Sequence, residues 1–192
     1  MLFDQEQRGL ALDALCSPPP NGLLAEPVEY IFADHFRQRT LCNVLDCIAT
    51  EQFPDRELIK AALAFLKRDF GLHIQDEEED LFPTLTSRLK PDDDVTEVLL
   101  ELSEQHKQDR VDATEIRHLL ENCLDNEQVF EFNQTSKDLM TRFAANERHH
   151  LTTENAIVLP IARARLTLSD MQIMGAHMAS RRSIELDGQA QC

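Results

Sequence analysis

The sequence has no tryptophan, one tyrosine and only five glycines, so it is short of the aromatic and turn-forming residues on which sheets and tight hairpins draw. Leu, Ala, Glu, Gln and Arg, the stronger helix formers, take their place, and the expected fold class is all-α. Basic residues are also scarce: 19 Lys and Arg stand against 35 Asp and Glu, a formal charge of −16. Phosphate backbones and anionic membrane surfaces are held by clustered cations, so neither nucleic acid nor membrane is an expected partner. No apolar run approaches the roughly 18 residues of a spanning helix. The start, Met1-Leu2-Phe3-Asp4-Gln5-Glu6, lacks the basic and then apolar pattern of a secretory leader, and a cytoplasmic location is expected. Cysteine is thinly spread: Cys16, Cys42, Cys47, Cys123 and Cys192 are an odd, scattered set with no Cys-x-x-Cys spacing. Zinc ligation and thiol redox cycling through such pairs are therefore excluded, and buried free thiols are expected, with Cys192 exposed on a polar tail.

At 192 residues, 42% of them hydrophobic, the chain is the size of one globular domain. Three parts are expected: an N-terminal arm over 1–24, a helical bundle over 25–166, and a C-terminal helix and tail over 167–192. The arm ends at Ser17-Pro18-Pro19-Pro20-Asn21-Gly22, which cannot continue a helix. Helix one is expected from about Pro27 to Ala49, with Val28, Ile31, Phe32, His35, Cys42 and Leu45 at helical spacing. Pro54-Asp55 opens helix two, whose inward positions from Leu58 through Phe65, Phe70, His73 and Glu77 to Leu81 run towards Leu89. Pro91-Asp92-Asp93-Asp94 is expected to stop it and to cap helix three, which carries Leu99, Leu102, His106, Ala113, Ile116 and Leu120. Helix four is expected from about Asp125-Asn126-Glu127 to Arg165, presenting Phe130, Leu139, Phe143, His150, Glu154, Ile157 and Val158. Ser169 to Gln172 reads as the capping box of a short fifth helix ending near Arg182. Short polar turns force neighbouring helices antiparallel, which predicts an up-down-up-down four-helix bundle. The acidic residues from Asp76 to Asp80, Glu77 apart, and from Asp92 to Asp94 read as solvated faces and caps.

Two segments carry chemistry. His73-Ile74-Gln75-Asp76-Glu77 and His150-Leu151-Thr152-Thr153-Glu154 are both His-x-x-x-Glu, a spacing that puts each pair on one helix face. Their height in the bundle is the stronger signal. His35 lies about 15 residues before the first turn and His73 about 18 after it; Glu77 and His106 lie about 13 and 14 residues either side of the second. His106 and His150 sit about 18 and 24 residues from the third, a difference that a longer turn would absorb. One layer therefore receives four imidazoles and two carboxylates, which would lose several kcal/mol of hydration each as unpaired buried charges. Metal removes that cost. Imidazole suits iron, zinc and copper, and a carboxylate can bridge two cations, so the set points to His35 and His73 on one ion, His106 and His150 on the other, and Glu77 and Glu154 between them. His118, His149 and His177 lie outside this layer. A ferritin-like pairing of Glu115-x-x-His118 with Glu147-x-x-His150 is excluded by height, because the two motifs fall roughly 25 Å apart along the axis.

The order His, His-x-x-x-Glu, His, His-x-x-x-Glu resembles the hemerythrin HHE cation-binding family over about residues 27 to 165. Each motif is followed by a proline six residues after its Glu, Pro83 and Pro160, expected to kink or end its helix. The resemblance implies two non-haem iron ions bridged by Glu77, Glu154 and an oxo or hydroxo group, and a small-molecule ligand such as O2, peroxide or NO. Oxygen carriers of the family add a histidine one turn after the helix-three ligand; here that position is Arg110. In ligand pattern the chain is closest to the iron-centre repair type, although it lacks the N-terminal cysteine-bearing module those proteins often carry. The expected function is a di-iron protein that binds or reacts with a small oxidant. Iron-centre repair or nitrosative-stress defence is the alternative within the family, and a metal- or redox-responsive regulator without catalysis, docking a protein partner through residues 169–182, is the alternative of another class.

Overall fold

The apolar stripes of the sequence are satisfied by packing four helical rods about a common axis in the computed structural model, which describes residues 3–51, 55–126 and 131–185. Among the described residues there is no strand, and no helix is long and apolar enough to cross a membrane. The first rod is α2 (Pro27–Thr50). The second is α3 (Arg56–Asp76), carried through a π-helical turn (Glu77–Leu81) into α4 (Phe82–Arg88); the third is α5 (Thr96–Asp125). The fourth is α6 (Gln134–Thr153), carried through a second π-helical turn (Glu154–Val158) into α7 (Leu159–Arg165). α2 packs on α3 and α6, and α5 packs on the same two, the ring expected of antiparallel neighbours joined by short connections.

Two further helices lie against the bundle. α1 (Gln5–Cys16) is closed by a capping box between Asp4 and Gln7 and packs on α2 and α3. Arg37 ties it down, donating to the carbonyls of Ala14 and Leu15 while pairing with Asp34 and Asp69. α8 (Leu168–Arg181) packs on a 3-10 turn (Asn21–Ala25) and on α2, α3 and the first π turn. Met174 and Met178 of α8 are buried, which makes this helix a packing element on its methionine face.

Several local expectations need correction. Helix four starts at Gln134 under an Asn133 cap, later than the Asp125–Glu127 start read from sequence; Glu127 and Phe130, like Pro54 and Cys192, fall outside the described residues. The later start removes the height mismatch, since His150 now falls 16 residues into α6 while His106 lies 19 from the end of α5. The acids at 92–94 do not cap helix three, which begins at Thr96 with no side-chain cap. Asp93 instead accepts from the Lys90 amide and pairs with Arg165, and Asp94 takes φ of 45° to turn the chain. α8 is capped by Thr167 with Asp170 rather than by Ser169. Pro83 and Pro160 do not end their helices. Each follows a π turn, in which the widened backbone accommodates the missing N–H and the ring's clash with the preceding turn. The described cysteines are free: Cys42, Cys47 and Cys123 are buried and Cys16 is exposed.

The apolar core is divided. One part holds Leu41, Leu45, Ile59, Phe65, Phe70, Ile116, Leu120 and Phe143; the other holds Leu24, Ile31, Leu81, Leu85, Leu102, Leu159 and Met178. Between them lies a belt of buried polar residues that includes all six expected ligands.

α8 meets the 3-10 turn closely enough that a Cβ at Gly175 would lie 2.1 Å from the Leu24 carbonyl oxygen. Gly175→Ala should lower stability by about 1–3 kcal/mol, despite the roughly 1 kcal/mol that alanine gains in a helix interior. A thermal melt no lower than that of the wild type would show that this contact does not fix α8.

Candidate metal centre

His73 and His150 close the last turns of α3 and α6, and Glu77 and Glu154 open the π turns that follow. α2 supplies His35 and α5 supplies His106. All six residues are 3% exposed or less, and two overlapping sets of their atoms lie within 4.8 Å of one another: His35, His73, Glu77 and Glu154, then Glu77, His106, His150 and Glu154. Both glutamates are common to the two sets. Glu77 Oε1 lies 3.2 Å from His73 Nε2 and 3.7 Å from His35 Nε2, while its Oε2 lies 3.3 Å from His106 Nε2. Glu154 Oε1 lies 3.0 Å from His150 Nε2 and its Oε2 3.5 Å from His35 Nε2. Each carboxylate therefore turns one oxygen to each histidine pair. The rings pair likewise, with centroids 5.1 Å apart for His35 and His73 and 4.6 Å for His106 and His150.

The other ring nitrogens point outwards to oxygen acceptors. His35 Nδ1 lies 3.0 Å from Asn155 Oδ1, His73 Nδ1 3.2 Å from Asp34 Oδ2, His106 Nδ1 2.5 Å from Glu78 Oε1, and His150 Nδ1 3.0 Å from Gln105 Oε1. An Nδ1–H held by such an oxygen leaves the Nε2 lone pair facing the centre, the tautomer that a metal requires. Sequence reasoning missed all four supports, but they follow a rule. The residue before His35 or His106 supports the motif histidine in its own half of the chain (Asp34 to His73, Gln105 to His150). The residue after Glu77 or Glu154 supports the single histidine of the other half (Glu78 to His106, Asn155 to His35). The repeated positions flanking each ligand were the available signal.

The expectation of solvated acids at 76–80 is overturned for the same reason. Glu78 holds His106, and Asp76 and Asp80 are buried. Arg182 pairs with Asp76 at 2.5 Å, and Arg181 with Asp76 at 2.9 Å and Asp80 at 2.5 Å; His177 lies 2.6 Å from Asp80. Only Glu79 of this run is exposed. α8 thus grips the π turn that presents Glu77. Outside the layer, Glu115 and His118 are exposed, so no site forms around them.

Electrostatics match a cation site. Among the described residues His35 Nε2, His73 Nε2 and all four oxygens of Glu77 and Glu154 are buried without a hydrogen-bond partner, an arrangement that costs about 1–3 kcal/mol per group unless something binds it. Burial would raise the Glu77 carboxyl, but His73, His106 and His35 hold it well below the usual carboxylate range. Burial would lower His73, yet Glu77 and Asp34 outweigh it and raise the imidazolium well above the usual value. His106 is raised to about 10, burial again being outweighed, here by Glu77 and Glu78. Protons thus do in part what a metal would do in full.

Residues 26–162 match the family model of the hemerythrin HHE cation binding domain. The chain belongs to that family. Among proteins related to this hemerythrin-like chain is one from Haemophilus influenzae (strain ATCC 51907 / DSM 11121 / KW20 / Rd), described as an "Uncharacterized protein" and 25% identical over 166 residues, which covers 83% of this chain and 92% of the relative. No solved structure matches this chain significantly. In this HHE protein Arg110 is exposed, and the inward residue of that helical turn is Asp109.

Glu147, one turn before His150, is 3% exposed, and burial pushes its carboxyl up to about 7. Between its ordinary value near 4.5 and about 7 the folded chain keeps a proton that the unfolded chain releases, so stability falls as pH rises through this window. Glu147→Gln should remove that component, about 3 kcal/mol by the size of the shift. Metal-free wild type and variant compared by denaturant unfolding at pH 4.5 and 7.5 should diverge; parallel losses of stability would refute the assignment.

Proposed function

We propose that this chain is a non-haem di-iron protein that binds or reacts with a small oxidant, O2, peroxide or NO. His35 and His73 hold one ion, His106 and His150 the other, and Glu77 and Glu154 bridge them. The observation that carries the reading is the inward set of histidine nitrogens and glutamate oxygens, unpartnered among the described residues, at the polar belt of the core. A mixed imidazole and carboxylate set suits iron, and a bound iron pair would supply electron exchange with the oxidant. The chain's part is to orient the ligands and exclude water. The four Nδ1 supports fix ring direction, Phe82 stacks on His106 with centroids 5.7 Å apart, and the two apolar clusters seal the belt above and below.

Metal analysis with spectra of anaerobic and air-exposed protein tests this reading. About two iron ions per chain and a charge-transfer band after exposure to air are expected. His73→Ala should empty the His35 side first, whereas Glu77→Ala should lower both occupancies because the residue is shared. About half an ion per chain or less in the wild type, with no band, would sink the proposal.

A second reading, metal- or redox-dependent regulation, is favoured by one observation: Arg181 at the end of α8 and Arg182 just after it bind Asp76, the neighbour of Glu77. Through this contact a change at the bridge reaches an outer helix. Deleting residues 168–192 should alter the iron spectrum if α8 and the bridge are coupled. An unchanged spectrum would leave α8 as packing alone.

A further inference from the structure

Glu77 and Glu154 lie one turn beyond a histidine of their own rods, on the side of the histidine layer where α8 packs. One turn to the other side, the rods present Gln38 from α2, Phe70 from α3, Asp109 from α5 and Glu147 from α6, each three residues from a ligand histidine and each buried. None belongs to either candidate ligand set. Gln38 is 1% exposed, and among the described residues neither its Nε2 nor its Oε1 has a hydrogen-bond partner. The next inward positions of α2, Leu41, Cys42 and Leu45, are apolar, so nothing in the packing calls for an amide at 38.

We propose that Gln38, with Asp109 and Glu147, forms the polar wall of the subsite that receives the outer end of the small ligand, the Gln38 Nε2–H donating to the ligand's terminal atom. This rests on the di-iron reading. With the two glutamates on the α8 side, the side of the layer left to an incoming molecule is the one Gln38 faces. Phe70 of α3 sets a buried apolar ring at the same level. A surface cavity of about 230 Å³ lined by Gln105, Gln108, Asn146 and His149 also has Asp109 of this wall in its lining. Gln38 is the donor of this wall, and burial raises the carboxyls of Asp109 and Glu147 beside it. Such a wall favours ligands whose outer atom carries negative charge, because a donor to a charged acceptor makes the stronger hydrogen bond.

Azide is a suitable probe, being small, anionic at its ends and visible in the infrared. Gln38→Met keeps the length and helix preference of the side chain and removes the donor. The variant, loaded with iron, should retain the wild-type metal content, bind azide about tenfold more weakly and shift the azide stretching frequency. Its metal-free form should melt no lower than the wild type, since an unpartnered amide has been replaced by an apolar group. Unchanged azide affinity and frequency in an iron-loaded variant would overturn this proposal alone. So would a metal-free variant that melts several degrees lower, which would make Gln38 a structural group. Wild-type chain that holds no iron would overturn the di-iron reading and this one together.

Discussion

Two carboxylates, each shared between two pairs of imidazoles, set the relation of the four rods to one another. Glu77 reaches His73 on its own rod, His35 on α2 and His106 on α5; Glu154 reaches His150 and His35. These contacts lie where the apolar core is interrupted, so the chain gives up continuous hydrophobic packing at its centre in order to hold them. The rest of the structure compensates. Two apolar clusters, one at each end, hold the rods at a spacing in which the polar groups meet, and α1 and α8 cover the outside.

The support of the site is distributed in the same crossed manner. Each ring's outward nitrogen meets an oxygen from another helix, and the residues providing those oxygens are chain neighbours of ligands. A helix that rotates about its axis therefore displaces one ligand and one support together, and couples what happens at one histidine pair to the other. The π turns belong to this design. They begin at the two glutamates common to both clusters, where an extra residue in the turn re-aims a side chain without ending the rod, and the prolines that follow are tolerated because the backbone there is already widened.

Much of this was legible in the sequence because it depends on spacing. Four rods, their antiparallel order and the common height of six candidate ligand residues follow from a 1.5 Å rise and the positions of turns, and the structure brings those six residues into two overlapping sets. Contacts made across helices were not legible. Asp76 and Asp80 look like any exposed acidic run until α8 places Arg181 and Arg182 over them, and Glu78 becomes a support only when α5 brings His106 beside it. Helix starts were misread where a local capping pattern competed with tertiary partners, as at Asp93, which Arg165 and the Lys90 amide claim. Gln38 carries no motif at all, and only its burial without a partner draws attention to it.

The sharing of Glu77 and Glu154 by both ligand sets has a consequence for how the protein is made. Each set draws residues from both halves of the chain, so neither half, emerging alone from the ribosome, contains a complete site. The first hairpin brings two histidines and one carboxylate, and the last member of the cluster arrives only with Glu154. A full set of four clustered candidate ligands is thus present only in a nearly complete polypeptide.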